Sequence, residues 1–154
     1  MVESNSLIFL DTDVLINWLT HERESHTAKP LWPAVEKILL TIQNKRLRGA
    51  ASVISIMELR SFLRRDKKLA KTVIEAEIIK INSLLNILVP NDITILSANQ
   101  IQSETSLTPI DAIQVALVYE NLPAIFVSRD KELLLTAKSF VTALVPEELL
   151  MKLP

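Results

Sequence analysis

Apolar residues in this chain fall into two patterns, short unbroken runs and longer stripes at helical spacing. Leu7-Ile8-Phe9-Leu10, Asn86-Ile87-Leu88-Val89 before Pro90, and Ala124-Ile125-Phe126-Val127 have the length and continuity of strands buried on both faces. Ala50-Ala51-Ser52 and Val141 to Val145 read as two more strands. Val14 to Leu19 predicts a short helix, and the polar stretch from His21 to Lys29 a loop. Pro30 and Pro33 open a helix through about Arg46, striped by Leu31, Val35, Ile38, Leu39 and Ile42, with Gly49 as its C-terminal stop. Further helices are predicted over Ser55 to about Arg65, Lys67 to Leu84, Asp92 to Glu104, Thr108 to Glu120 and Lys131 to Lys138, and Pro146 starts a last turn. Strands alternating with helices specify an α/β domain, its mainly parallel five-stranded sheet flanked by helices. No linker, repeat or low-complexity segment interrupts the pattern, so residues 1–154 read as a single domain.

Four acids occupy special places in this plan. Asp11 directly follows the first strand, and Asp130 follows the fourth by two residues. Glu58 and Asp111 lie in the first turns of predicted helices. In an open parallel sheet, strand C-terminal ends and the N-termini of the following helices share one edge, where ligands bind at the topological switch point. Four carboxylates from distant positions are therefore aimed at one rim, and oxygen-only ligands suit Mg²⁺ or Mn²⁺ instead of zinc. Each acid also has a plainer explanation. Ser55-Ile56-Met57-Glu58 and Thr108-Pro109-Ile110-Asp111 both have the form of a capping box, and Asp11 and Asp130 favour the dipoles of the helices they precede. Asp111 shares its face of a nearly all-apolar helix with Val115 and Val118, where a desolvated carboxylate needs a cation. Asp13 either caps the first helix or joins the cluster.

Composition narrows the chemistry. The 154 residues include no Cys, which removes disulfides, thiolate metal sites and cysteine nucleophiles, and one Gly, which removes Walker and dinucleotide-binding loops. Lys and Arg number 17 against 18 Asp and Glu, so no uniformly basic coat marks a nucleic-acid partner, although a local one stays open. The N-terminus lacks the basic start of a signal peptide, and no apolar run approaches the roughly twenty residues of a membrane span. The expectation is a cytoplasmic protein with no membrane partner.

Four segments together resemble the PIN domain family, and within it the VapC-like ribonuclease toxins. They are Ile8-Phe9-Leu10-Asp11-Thr12-Asp13-Val14-Leu15, Ser52-Val53-Ile54-Ser55-Ile56-Met57-Glu58-Leu59, Asp111-Ala112-Ile113-Gln114-Val115-Ala116 and Phe126-Val127-Ser128-Arg129-Asp130-Lys131. The resemblance implies a three-layer PIN-like sandwich and a metal-dependent endoribonuclease, the toxin of a type II toxin–antitoxin pair. It implies that Asp11, Glu58, Asp111 and Asp130 bind Mg²⁺ or Mn²⁺ and form the catalytic quartet. Ser128 would be the small hydroxyl beside them and Asp13 an accessory acid, standing where the family often has Asn or Ser. Lys131-Glu132-Leu133 departs from the family's more frequent acidic-aromatic ending. An antitoxin protein and a second copy of the chain would be partners.

An RNA substrate needs cations. Arg60 and Arg64 lie one turn apart on the helix bearing Glu58, and Arg129 adjoins Asp130, making these three the best candidates for phosphate contacts. Most other Lys and Arg residues read as a solvated face. Aromatics at 5% do not support a base-stacking platform. His21 and His26, with Glu22 and Glu24, lack regular zinc-ligand spacing and read as loop. Trp18 and Trp32 fit core packing as well as an interface. Two other functions stay open: a PIN-like module that binds RNA or protein without cutting, and a haloacid-dehalogenase-type phosphatase. The second is weaker, because Val14 replaces the usual Gly after Asp11-Thr12-Asp13 and no paired downstream Asp-Asp motif follows.

Overall fold

Unbroken apolar runs become parallel strands covered on both sides. In the computed structural model, which describes residues 2 and 5–153, the chain begins with β1 (Leu7–Leu10), α1 (Thr12–Thr20), α2 (Trp32–Gln43), β2 (Arg48–Ser52) and α3 (Val53–Arg65). It continues through α4 (Lys71–Leu84), β3 (Asn86–Leu88), α5 (Asp92–Glu104) and α6 (Pro109–Glu120). β4 (Ala124–Val127), α7 (Lys131–Ala137), β5 (Thr142–Leu144) and α8 (Pro146–Lys152) complete it. All strand pairings are parallel, in the order β3-β2-β1-β4-β5. The chain thus builds outward from β1 to β3 and then restarts on the other side of β1 with β4. The boundary between β1 and β4 is the switch point of the sheet.

Side chains alternate across β1 and β4 into two separate cores. Ile8, Leu10, Ile125 and Val127 face the layer that includes α1 to α4 and α8. Leu7, Phe9, Ala124 and Phe126 face the layer that includes α5, α6 and α7. Phe9 and Phe126 meet across the paired strands with ring centroids 5.8 Å apart. Register matches Leu7 with Ala124 and Leu10 with Val127, so β1 and β4 end level. The α/β sandwich expected from the pattern is the observed fold.

Several boundaries differ for local reasons. α3 starts at Val53 because Ser52 caps it, accepting from the Ile54 N–H at 2.9 Å. Ser55 is therefore not a cap but a fully buried residue within the helix, and the capping-box explanation of Glu58 fails. α2 starts at Trp32, since Pro30 is spent in a bridge to Arg23. α4 begins only at Lys71: Lys68 turns left-handed (φ 52°) and the Leu69 N–H bonds the Leu63 carbonyl six residues back, which reverses the chain after α3. The segment after Pro146 is a helix, anchored by the fully buried Leu149.

Gly49 is not a helix stop. It lies inside β2, paired with Ile8, and the left-handed residue that follows α2 is Lys45 (φ 58°). Glycine is needed there for space: a Cβ would stand 2.6 Å from Ile42 Cδ1 and 2.6 Å from Leu85 Cδ2, both in the packed core. Gly49→Ala should destabilise the protein by about 1–2 kcal/mol, overpacking outweighing the lower entropy of the unfolded chain. Ile42→Val should recover part of that loss. Urea unfolding of the single and double variants measures both effects; a neutral Gly49→Ala would show that close approach is not what the glycine serves.

Candidate metal centre at the sheet switch point

β1 and β4 deliver Asp11 and Ser128 side by side. The Asp11 N–H donates to Val127 O at 3.0 Å, extending the strand pairing by one residue, while the Ser128 N–H donates to Leu144 O at 3.2 Å. Both side chains are buried. Asp11 caps α1, its Oδ1 accepting from the Thr12 N–H at 2.8 Å, and its Oδ2 accepts from the Ser128 hydroxyl at 2.9 Å. Burial, then the neighbouring charge of Asp13, pushes the Asp11 carboxyl up to about 7, against the pull of the bonds from Ser128 and Thr12. Asp111 adds to the upward push, which places its charge within electrostatic reach.

Asp13, in the first turn of α1, belongs to the same knot. Its Oδ2 accepts from the Arg129 N–H at 2.9 Å and from the Ser128 hydroxyl at 3.3 Å, while its buried Oδ1 has no partner among the described residues. Burial raises its carboxyl despite these bonds. Asp111 stands at the start of α6 and is half-buried. Its N–H donates to the Thr108 hydroxyl at 3.2 Å, one half of the anticipated capping box. Burial and, more weakly, the charge of Asp130 raise its carboxyl, while the hydrogen bond with Thr108 opposes them.

Glu58 and Asp130 lie at the margin, both exposed. Glu58 Oε1 accepts from the Thr12 hydroxyl at 2.8 Å, which ties it to the residue between the two buried acids. Asp130 caps α7, its Oδ1 accepting from the Leu133 N–H at 3.1 Å. A buried bond from Gln114 Nε2 to Ser55 Oγ, 2.8 Å long, joins α6 to α3 one turn beyond Asp111 and one turn before Glu58. The structure therefore draws Asp11, Asp13 and Ser128 into direct contact. It sets Asp111 within electrostatic reach of Asp11 and Asp130 within reach of Asp111, and attaches Glu58 through Thr12.

Among the described residues, no three acidic or histidine side chains converge tightly enough to ligate one ion directly. The donor chemistry nevertheless fits a hard cation. Mg²⁺ keeps several waters and needs only one or two carboxylates, and here the buried Asp11 and the half-buried Asp13 both have their carboxyls pushed up, and among the described residues Asp13 Oδ1 is buried without a partner.

The anticipated cations fare differently. Arg60 bonds Glu75 of α4 through Nε at 2.9 Å and Nη2 at 3.4 Å, and Arg64 is exposed. Arg129 departs from the expected phosphate contact. Its guanidinium is taken up by Asn17, Glu147 and the Leu31 carbonyl, leaving the side chain 16% exposed. Thr12, Asn17, Gln114 and Glu147 were not singled out from the sequence. Thr12 lies inside the Asp11-Thr12-Asp13 motif, whereas Glu147 looks like any first-turn acid until the fold brings Arg129 to it. Among the described residues no helix is long and apolar enough to cross a membrane.

Comparison with known proteins agrees with this architecture. The PIN domain family profile matches residues 8–139. No curated protein matches the chain's sequence. Among solved structures, PAE2754 of Pyrobaculum aerophilum has a TM-score of 0.64 at 19% identity, covering 97% of this chain and 92% of that one. A toxin–antitoxin complex from Klebsiella pneumoniae gives 0.65 at 16%, covering 90% of this chain and 97% of that one. VapBC-1 of nontypeable Haemophilus influenzae gives 0.66 at 13%, covering 92% of this chain and 98% of that one. With the profile spanning β1 to the end of α7, over most of the chain, the chain belongs to the PIN domain family.

Proposed function

We propose that the protein is a metal-dependent endoribonuclease, a single PIN-like domain acting as the toxin of a toxin–antitoxin pair. The observation that carries this reading is the Asp11 carboxyl, buried at the switch point beside Asp13 and pushed up to about 7. A buried acid beside a half-buried one does not serve stability, since burying unpaired charge is unfavourable. A divalent cation relieves that cost. Asp11 and Asp111 would hold Mg²⁺ or Mn²⁺, with Asp13, Glu58 and Asp130 adding negative potential at the same rim. When bound, the cation supplies Lewis acidity and charge neutralisation for phosphodiester hydrolysis. The single Ser128 hydroxyl proton is shared between Asp11 Oδ2 at 2.9 Å and Asp13 Oδ2 at 3.3 Å, which holds the two carboxylates together. Thr12 holds Glu58 at the margin of the site.

Exposed Arg64, Arg65, Lys67, Lys68 and Lys71 crowd the end of α3 and the start of α4, and would neutralise RNA phosphates. The similarity of fold to proteins described as toxin–antitoxin complexes motivates an antitoxin partner. Exposed Val89, Ile93 and Leu96 offer apolar surface for a second copy. The switch-point pair Asp11 and Asp13 and the family match favour this reading over a phosphatase. A PIN-like module that binds without cutting is the competing reading, because the acids as placed do not form a direct three-carboxylate cage.

Asp11→Asn and Asp111→Asn should each reduce Mn²⁺-dependent RNA cleavage to the level of wild type in EDTA, with unchanged circular dichroism. Cleavage by both variants at the wild-type rate contradicts the proposal, and RNA binding with no cleavage at any Mn²⁺ concentration supports the binding module.

Stability should depend on pH in a defined direction. Because the native-state pKa of Asp11 lies above its unfolded value of about 3.9, the native state holds more protons between about pH 4 and pH 7. Without metal, the melting temperature should therefore fall as pH rises through this window. Asp11→Asn should flatten the fall, melt higher than wild type at pH 7.5, and lose most of the stabilisation that Mn²⁺ gives. Calorimetric melts across this range check it; a wild-type melting temperature that rises from pH 4 to pH 7 contradicts it.

A further inference from the structure

Leaving β4, the chain crosses the first turn of α1. The Arg129 N–H donates to Asp13 Oδ2 at 2.9 Å, and the guanidinium returns to the same helix one turn later, where Nε donates to Asn17 Oδ1. Asp13 and Asn17 are four residues apart and stack on one face of α1, so a single residue grips that face twice. The other end of the guanidinium points away from the acids. Nη1 and Nη2 donate to Glu147 Oε2 and Oε1 at 3.0 and 2.9 Å, and Nη2 also donates to the Leu31 carbonyl at 2.7 Å. One side chain thereby joins the exit of β4, α1, the start of α2 and the first turn of α8.

Two properties make this a clamp instead of a surface ion pair. The Arg129–Glu147 contact is bidentate, which fixes the plane as well as the position of the guanidinium. The arginine is also largely shielded from water. Burial pushes the Glu147 carboxyl up, yet the Arg129 hydrogen bonds and charge outweigh this and hold it below the usual range. The consequence falls on Asp13. Asp11 and Asp13 repel one another, and an unanchored Asp13 side chain on the first turn of a helix would rotate toward solvent. With Oδ2 pinned by the Arg129 N–H and the Ser128 hydroxyl, the buried and unpartnered Oδ1 keeps a fixed place beside Asp11.

We propose that Arg129, locked by Glu147 of the last helix, is a positioning residue that holds the accessory acid Asp13 against Asp11, so that a divalent cation held by Asp11 and Asp111 meets a preorganised negative charge. The proposal rests on the metal-dependent reading of the site. It assigns Arg129 a role other than the RNA contact expected from its sequence neighbours. It also makes α8, which lies beyond the residues 8–139 shared with the PIN profile, part of the support of the site.

The test is Mn²⁺ binding without RNA, measured by titration calorimetry on the full chain for wild type, Glu147→Gln and Arg129→Lys. Glu77→Gln, at the exposed α4 pair with Lys80, is the control. Each titration is run well below the variant's own melting temperature. Glu147→Gln and Arg129→Lys should weaken Mn²⁺ binding by about tenfold or more, as expected for outer-shell partners of a metal site, and shift the Arg129 amide resonance. Glu77→Gln should do neither. Lowered melting temperatures with wild-type Mn²⁺ affinity would reduce the clamp to a stability element and overturn the proposal. If wild type itself binds no Mn²⁺, the metal-dependent reading and the proposal fall together; if wild type binds and both variants bind equally well, only the positioning role falls. Glu147→Gln decides the matter should Arg129→Lys fail to fold, because Glu147 is half-exposed.

Discussion

Because β1 and β4 end level and their next residues are still paired, Asp11 has nowhere to go but between Ser128 and the start of α1. Its carboxyl is buried there, with Asp13 two residues on and Asp111 near enough to add to the repulsion. Raising a carboxyl from about 3.9 to about 7 represents on the order of 4 kcal/mol of disfavoured charge at neutral pH. That is a large fraction of a domain's net stability of about 5–15 kcal/mol. The two cores of the sandwich have to sustain it, and under the proposed function a bound cation would relieve it.

Around this constraint the rest of the molecule is organised in layers of support. Ser128 and Thr12 orient carboxylates directly. The Gln114–Ser55 bond holds α6 to α3 and so sets the separation of Asp111 from Glu58. Arg129 and Glu147 tie the loop after β4 to three helices. The chain's near balance of 17 basic against 18 acidic residues conceals a segregation, with acids at the C-terminal edge of the sheet and free bases around the turn from α3 to α4.

Much of this could be read from the sequence because it depends on local pattern. Leu7 to Leu10 and Ala124 to Val127 are unbroken because both faces of their strands are covered, so parallel strands and their terminal acids were visible at once. What stayed hidden depends on tertiary neighbours. Gly49 resembles a helix stop until Ile42 and Leu85 are seen against it. Ser55 resembles a cap until Ser52 takes that place and Gln114 reaches Ser55. Arg129, next to a candidate ligand, resembles a phosphate-binding cation until Glu147, eighteen positions later, closes on it. The carboxylate positions followed from the topology of strand ends, but their unequal burial did not. Asp11 and Asp13 lie inside the knot, whereas Glu58 and Asp130 stand in solvent, and only the packed structure distinguishes them.

The central claim is that Asp11 is a buried carboxyl whose charge is disfavoured until a cation arrives. Carbon-13 NMR titration of the Asp11 side-chain carboxyl in metal-free protein tests this most directly. The account predicts a midpoint near pH 7 and a shift to lower pH when Mg²⁺ is added. A midpoint near the ordinary value of about 3.9 without metal would contradict it.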